Sequence, residues 1–95
     1  MGSYEIIDHG YMLPDYFQGC GTSFTKFTHC VTGIGMSAKE AYADACESAF
    51  QAAEGQEYEK LARLLPTRPR GIRATDRVPA RYPDSYWHVS IRYAF

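Results

Sequence analysis

The sequence predicts an α+β domain in which an antiparallel sheet of three to four strands is covered by one main helix, in the order β-β-β-α-(α)-β. Three observations carry that prediction: a capped, alanine-striped segment from Ser37, a C-terminal stretch with two-residue periodicity, and upstream stretches rich in Thr, Val and aromatic residues. At 95 residues the chain holds one hydrophobic core, since domains cluster at about 100–150 residues. A single domain over residues 4–95 follows. Met1-Gly2-Ser3 reads as an expression scar outside the fold, because Ile6 stands where an N-myristoylation signal wants Ser or Thr.

Tyr4 to Asp8 reads as the first strand, and residues 9–20, with Gly10, Pro14 and Gly19, as a connecting loop. Gly21 to Ile34, rich in Thr, Phe and Val, reads as a hairpin whose turn falls near Lys26 to His29. Ser37-Ala38-Lys39-Glu40 is a capping box, in which hydroxyl and carboxylate each satisfy an orphan amide at a helix start. From there Ala38, Ala41, Tyr42, Ala45, Cys46, Ala49, Phe50 and Ala53 recur at three- and four-residue steps, opposite Lys39, Glu40, Asp44, Glu47, Gln51 and Glu54. The alanines allow close approach to a sheet, and Gly55 is placed to stop the helix. A short second helix reads from about Gln56 to Leu65, with Tyr58, Leu61, Ala62 and Leu65 on one side and Pro66 ending it. In the last ten residues Trp87, Val89, Ile91, Tyr93 and Phe95 point one way and Tyr86, His88, Ser90 and Arg92 the other, the pattern of a strand with one buried face. Gly33 and Gly35 are read as letting the preceding strand turn into the helix cap.

The net charge of −1 conceals an asymmetry. Residues 1–65 hold four Lys or Arg against nine Asp or Glu, a balance of −5, whereas residues 66–95 hold six against two, a balance of +4. Within 66–83 stand Pro66, Pro69, Pro79 and Pro83 with Arg68, Arg70, Arg73, Arg77 and Arg81, and prolines at that density oppose a helix or central strand. The segment reads as a long, basic, exposed loop within the domain. Arginine's planar fork of donors suits phosphate and carboxylate alike, so RNA or an acidic protein surface would both engage it. A proline-stiffened linker offsetting the acidic remainder is the plain structural alternative.

Residue types exclude more than they assign. No apolar run approaches the roughly 18 residues of a membrane span, so no membrane role is expected. Cys20, Cys30 and Cys46, odd in number and not closely paired, fit a reducing, cytoplasmic setting better than a disulfide framework. Together with His9, His29 and His88 they contain zinc-binding atoms, but only His29-Cys30 are adjacent and no spaced pair fixes two ligands; neither metal nor cofactor is expected. Cys20, between Gly19 and Gly21, is the candidate nucleophile, with His9 or His29 as its base. Gly-Cys-Gly is equally a tight turn, and no third orienting residue stands in a recognisable pattern, so no catalysis is expected. Fourteen aromatic residues, eight Tyr, five Phe and one Trp, exceed what so small a core needs. Some should serve as contact area. A non-enzymatic protein-binding module therefore leads, contacting its partner through Arg68, Arg70, Arg73 and Arg77 and through an aromatic patch of Tyr11, Tyr16 and Phe17. RNA or nucleotide binding by the same arginines with stacking tyrosines is the alternative, and edge-to-edge pairing of the aromatic C-terminal strand would make a homodimer.

The run Cys30-Val31-Thr32-Gly33, then Ser37-Ala38-Lys39-Glu40-Ala41, then Ala45 and Ala49, resembles the HicB antitoxin family over residues 19–50. That family runs a strand, a loop ending in Gly-Cys, a strand of the form Val-Thr-x-Gly and a capped helix with Glu-Ala repeats. Here His29 replaces the glycine before the cysteine, and two extra residues precede the helix. The resemblance implies a small sheet domain that blocks a toxin protein, without the DNA-binding segment of the antitoxin. In size and layout the chain also looks like the small phage-encoded inhibitors of host defence complexes, anti-CRISPR proteins included.

Overall fold

The structure, a computed structural model, describes residues 2–12, 29–65, 72, 77–81 and 85–94. In chain order these form β1 (Ser3–Met12), β2 (His29–Gly35), α1 (Ala38–Ala52), α2 (Gln56–Leu64) and β3 (Tyr86–Ala94). The result is mixed α+β with one antiparallel sheet in the order β1-β3-β2. The remaining expected strand of the upstream hairpin, over 21–28, lies outside the described residues.

Both ends of the first expected strand lie further out than the sequence suggests. Ser3 pairs with Ala94 and Met12 with Tyr86, so residue 3 and residues 9–12, read as scar and loop, belong to β1. Gly10 keeps its place in the ladder opposite His88 with a φ of 154°, a conformation open to glycine that residues with a Cβ rarely adopt. A β-bulge at Ile7, between the pairs Ile6–Ile91 and Asp8–Ser90, shifts the register by one residue. His9 and Tyr11 thereby join Tyr4 and Ile6 on one face.

Over β2 and β3 the same face of the sheet receives α1. Ser37 caps the helix, its hydroxyl accepting from the Glu40 amide at 3.2 Å. The Glu40 carboxylate accepts from the Met36 amide at 2.9 Å, one residue before the cap whose amide the sequence pattern assigns to it. Ala38, Ala41, Tyr42, Ala45 and Ala49 are buried as the stripe predicts. Gly33, mid-strand in β2, does not serve a turn: an added Cβ there would run into the Ala41 carbonyl oxygen and the Ala45 amide nitrogen. Glycine on the strand and alanine on the helix together set the closeness of the two backbones, and the core of Tyr42, Leu61, Leu65, Val89, Ile91 and Tyr93 forms beside this seam. Each fully buried Leu, Val or Ile contributes about 1.5–3 kcal/mol by leaving water. Ser37→Ala is expected to lower stability by about 1 kcal/mol, read as a lower urea midpoint at unchanged slope.

Two further expectations change. Gly55 does not end α1, which stops at Ala52 with Ala53 extended; with φ of 57° it is instead the N-cap of α2. β3 is not half-buried but central, flanked by β1 and β2. His88 and Ser90, on the face away from α1, are 5% and 1% exposed, the His88 Nε2 and the Ser90 hydroxyl meeting neighbours across the ladder. Ser90 and Thr32 hydroxyls lie 2.8 Å apart, His88 Nε2 lies 3.1 Å from Asp8 Oδ2, and Arg92 pairs with Glu5. A β3 flanked on both sides has no free edge to offer a second copy, so the homodimer route expected from that strand is closed.

Candidate functional site

Of the seven contact residues read from sequence, Arg68, Arg70, Arg73, Tyr16 and Phe17 lie outside the described residues, as does Cys20. The structure describes the other two, Tyr11 in β1 and Arg77 beside the start of α1. Tyr11, 43% exposed, pairs with Trp87 in β1. Arg77 is exposed and bridges to Ser37 at the start of α1. The described parts of the Arg/Pro segment are anchored: Ile72 packs against the core, and the Val78 amide donates to the Met36 carbonyl at 3.2 Å. Cys30 is disulfide-bonded and Cys46 is a free thiol, which corrects the expectation that the cysteines are all reduced.

A site that the sequence reading passed over lies between α1 and α2. Along α1 the buried seam is small, Ala41, Ala45 and Ala49, but the neighbouring four-residue line is Tyr42, Cys46 and Phe50, whose bulk leans toward α2. On α2, Leu61 points into the core and Tyr58, Ala62 and Leu65 follow round the helix toward α1. Between them runs a cleft of about 650 Å³, floored by Tyr42, Cys46 and Phe50, with Lys39, Ala43, Glu47 and Gln51 as one lip and Tyr58 and Ala62 as the other. Phe50 and Tyr58 close one end, ring centroids 5.2 Å apart and planes tilted by 50°. Ala43 and Ala62 are exposed, and their small side chains keep each lip low there. Tyr58 is 49% exposed.

The two polar atoms in the floor satisfy each other, Tyr42 hydroxyl with Cys46 thiol. Burial raises the pKa of both groups, that of Tyr42 strongly, and burial followed by the nearby Glu57 carboxylate raises that of Tyr93. Cys46 is therefore a neutral thiol at physiological pH and a poor nucleophile. The three raised values give a stability prediction. Below roughly pH 8.5 folded and unfolded chains both keep these protons; through roughly pH 8.5 to 10 the unfolded chain releases them while the folded chain holds them, so stability falls. Urea midpoints are expected to decline steeply above pH 9, and Cys46→Ala to soften the first part of that decline. What the cleft offers is apolar area at low cost of dehydration, without a reactive group.

No helix among the described residues is long and apolar enough to cross a membrane. No protein-family model, curated protein or solved structure matches this chain.

Proposed function

We propose that this chain is a non-enzymatic protein-binding module that sequesters or inhibits its partner, and that the α1–α2 cleft is the principal contact surface. The observation that carries the reading is the cleft itself. Aromatic side chains line a surface depression in which, among the described residues, the Tyr42 hydroxyl and Cys46 thiol satisfy each other, the make-up of a binding hot spot more than of a reaction centre. The resemblance of residues 19–50 to HicB antitoxins supports a toxin protein as one class of partner. The type of small phage-encoded anti-defence inhibitor supports a host defence complex as another.

Lysate of the source organism, passed over the immobilised full chain with retained protein and nucleic acid both recovered, tests this. Wild type is expected to retain one protein in stoichiometric amount, and Ala62→Arg, which raises one lip of the cleft, to lose it while keeping its circular dichroism spectrum. Retention that instead depends on the arginines, abolished by changing Arg68, Arg70, Arg73 and Arg77 to serine, would move the contact to the basic segment. Capture of RNA whose affinity falls steeply with the logarithm of salt concentration would replace the reading by the nucleic-acid alternative.

A further inference from the structure

Resting on that protein-binding reading, we infer that the cleft takes a positively charged amphipathic α-helix of the partner, laid along α1. Three features of the cleft select that occupant.

Its walls are both helices, whose backbone amides and carbonyls are spent within each helix. An extended peptide or loop placed there would find apolar surface for its side chains and no partners for its own backbone, which is costly to bury unpaired. A helix arrives with its backbone already satisfied. The Lys39–Gln51 lip spans twelve residue steps, about 18 Å at 1.5 Å per residue. Three turns of a partner helix match it, and the low lips at Ala43 and Ala62 permit close approach.

A small apolar molecule fits less well. Sites for such ligands hold a few polar groups that fix orientation, and here the Tyr42 hydroxyl and Cys46 thiol are taken up by each other.

Charge sets the sign of the occupant. Glu47 stands on the α1 lip, Glu59 follows Tyr58 on α2, and Glu54 lies in the joint beyond Phe50, all three exposed. Among the described residues none of the three stands in an ion pair such as His88–Asp8 or Arg92–Glu5. Gln51 contributes only a long 3.5 Å contact to Glu47. Among the described lining residues Lys39 is the one cation, at the opposite end from the joint, and across residues 38–65 six carboxylates stand against three cations, Lys39, Lys60 and Arg63. A helix with lysines or arginines flanking its apolar stripe would meet these carboxylates, gaining mainly in encounter rate and discrimination.

The test uses a fluorescein-labelled peptide of about 18 residues built from Leu, Ala and Lys, with leucines at i, i+4, i+7 and i+11. Two companions accompany it, one with each Lys replaced by Glu and one with two central prolines. Titrated with the full chain and followed by anisotropy, the basic helix is expected to bind at least tenfold more tightly than either companion. Ala43→Arg and Ala62→Arg are each expected to weaken it more than tenfold with unchanged circular dichroism. The triple change Glu47→Gln, Glu54→Gln and Glu59→Gln is expected to weaken only the basic peptide and flatten its salt dependence. Equal binding of the acidic or the proline-containing peptide, indifference to Ala62→Arg, or no binding at all overturns the inference. So does a dimer that Ala62→Arg dissociates in sedimentation, which would give the cleft to a second copy. If the peptides fail while the lysate experiment still yields a cleft-dependent partner protein, the helical occupant is lost and the protein-binding reading stands. If the lysate yields RNA or nothing, that reading itself is lost.

Discussion

Gly33→Val is expected to abolish the cooperative unfolding transition, leaving a chain without near-ultraviolet circular dichroism at room temperature. The atoms in the way are backbone: the Ala41 carbonyl oxygen and the Ala45 amide nitrogen and Cα, all in the body of α1, with Ala45 Cα only 2.7 Å from where a Cβ would stand. A flexible side chain could swing aside, but a hydrogen-bonded helix must lift as a unit and take Ala41, Ala45 and Ala49 off the sheet. Overpacking in cores costs typically about 1–3 kcal/mol and occasionally more, against a total stability of about 5–15 kcal/mol for a small domain. Gly33→Ala should reach the top of that overpacking range, and the branched side chain should exceed it. Ile34→Ala next door, on the opposite face and 46% exposed, is expected to change the urea midpoint little. A Gly33→Ala protein as stable as wild type would mean that α1 does not sit on β2.

Leu61→Ala is expected to cost about 2–5 kcal/mol, the range for emptying a fully buried leucine site. Leu61 is the buried residue of α2 and its main anchor in the core. Without it the helix is held chiefly by Leu65 and by the Phe50–Tyr58 contact, so α2 should loosen before the sheet does. Amide exchange distinguishes this from a uniform loss: protection should fall in 56–64 by more than in β3. The same variant should lose partner capture at temperatures where the sheet is still intact, because one wall of the cleft has gone. Equal loss of protection across α2 and β3 would show that the two helices and the sheet unfold as one unit.

The sequence made α1 legible because its signals are local. A hydroxyl at position 37, a carboxylate at 40 and a period of 3.6 residues lie within one segment, and the alanine stripe falls on the buried face. The alternation of β3 was equally readable, but alternation reports which face a side chain occupies and not which strands stand beside it. Its central position depends on pairing with residues that are remote in sequence, and so does the burial of His88 and Ser90, whose partners Asp8 and Thr32 lie 80 and 58 positions away. Gly33 was misread for a related reason: a glycine before a helix cap is a common turn residue, and only the packed helix reveals that space, not flexibility, is what the site requires. The cleft was half legible. Tyr42, Cys46, Phe50, Tyr58, Ala62 and Leu65 were all assigned to inward stripes, and the split of α1 into a small line and a large line was the available signal. That the large line faces a second helix depends on the direction α2 takes from Gly55, a residue whose φ of 57° starts α2 instead of ending α1.

The middle strand of the described sheet is also the last of its three strands to be translated. While a ribosome is still adding residues 66–85, β1 and β2 exist without the strand that joins them, although α1 can already meet its neighbours β2 and α2. A nascent chain must therefore carry two unjoined strands with exposed apolar side chains until residue 94 has cleared the exit tunnel, an interval in which a chaperone or premature self-association competes with folding.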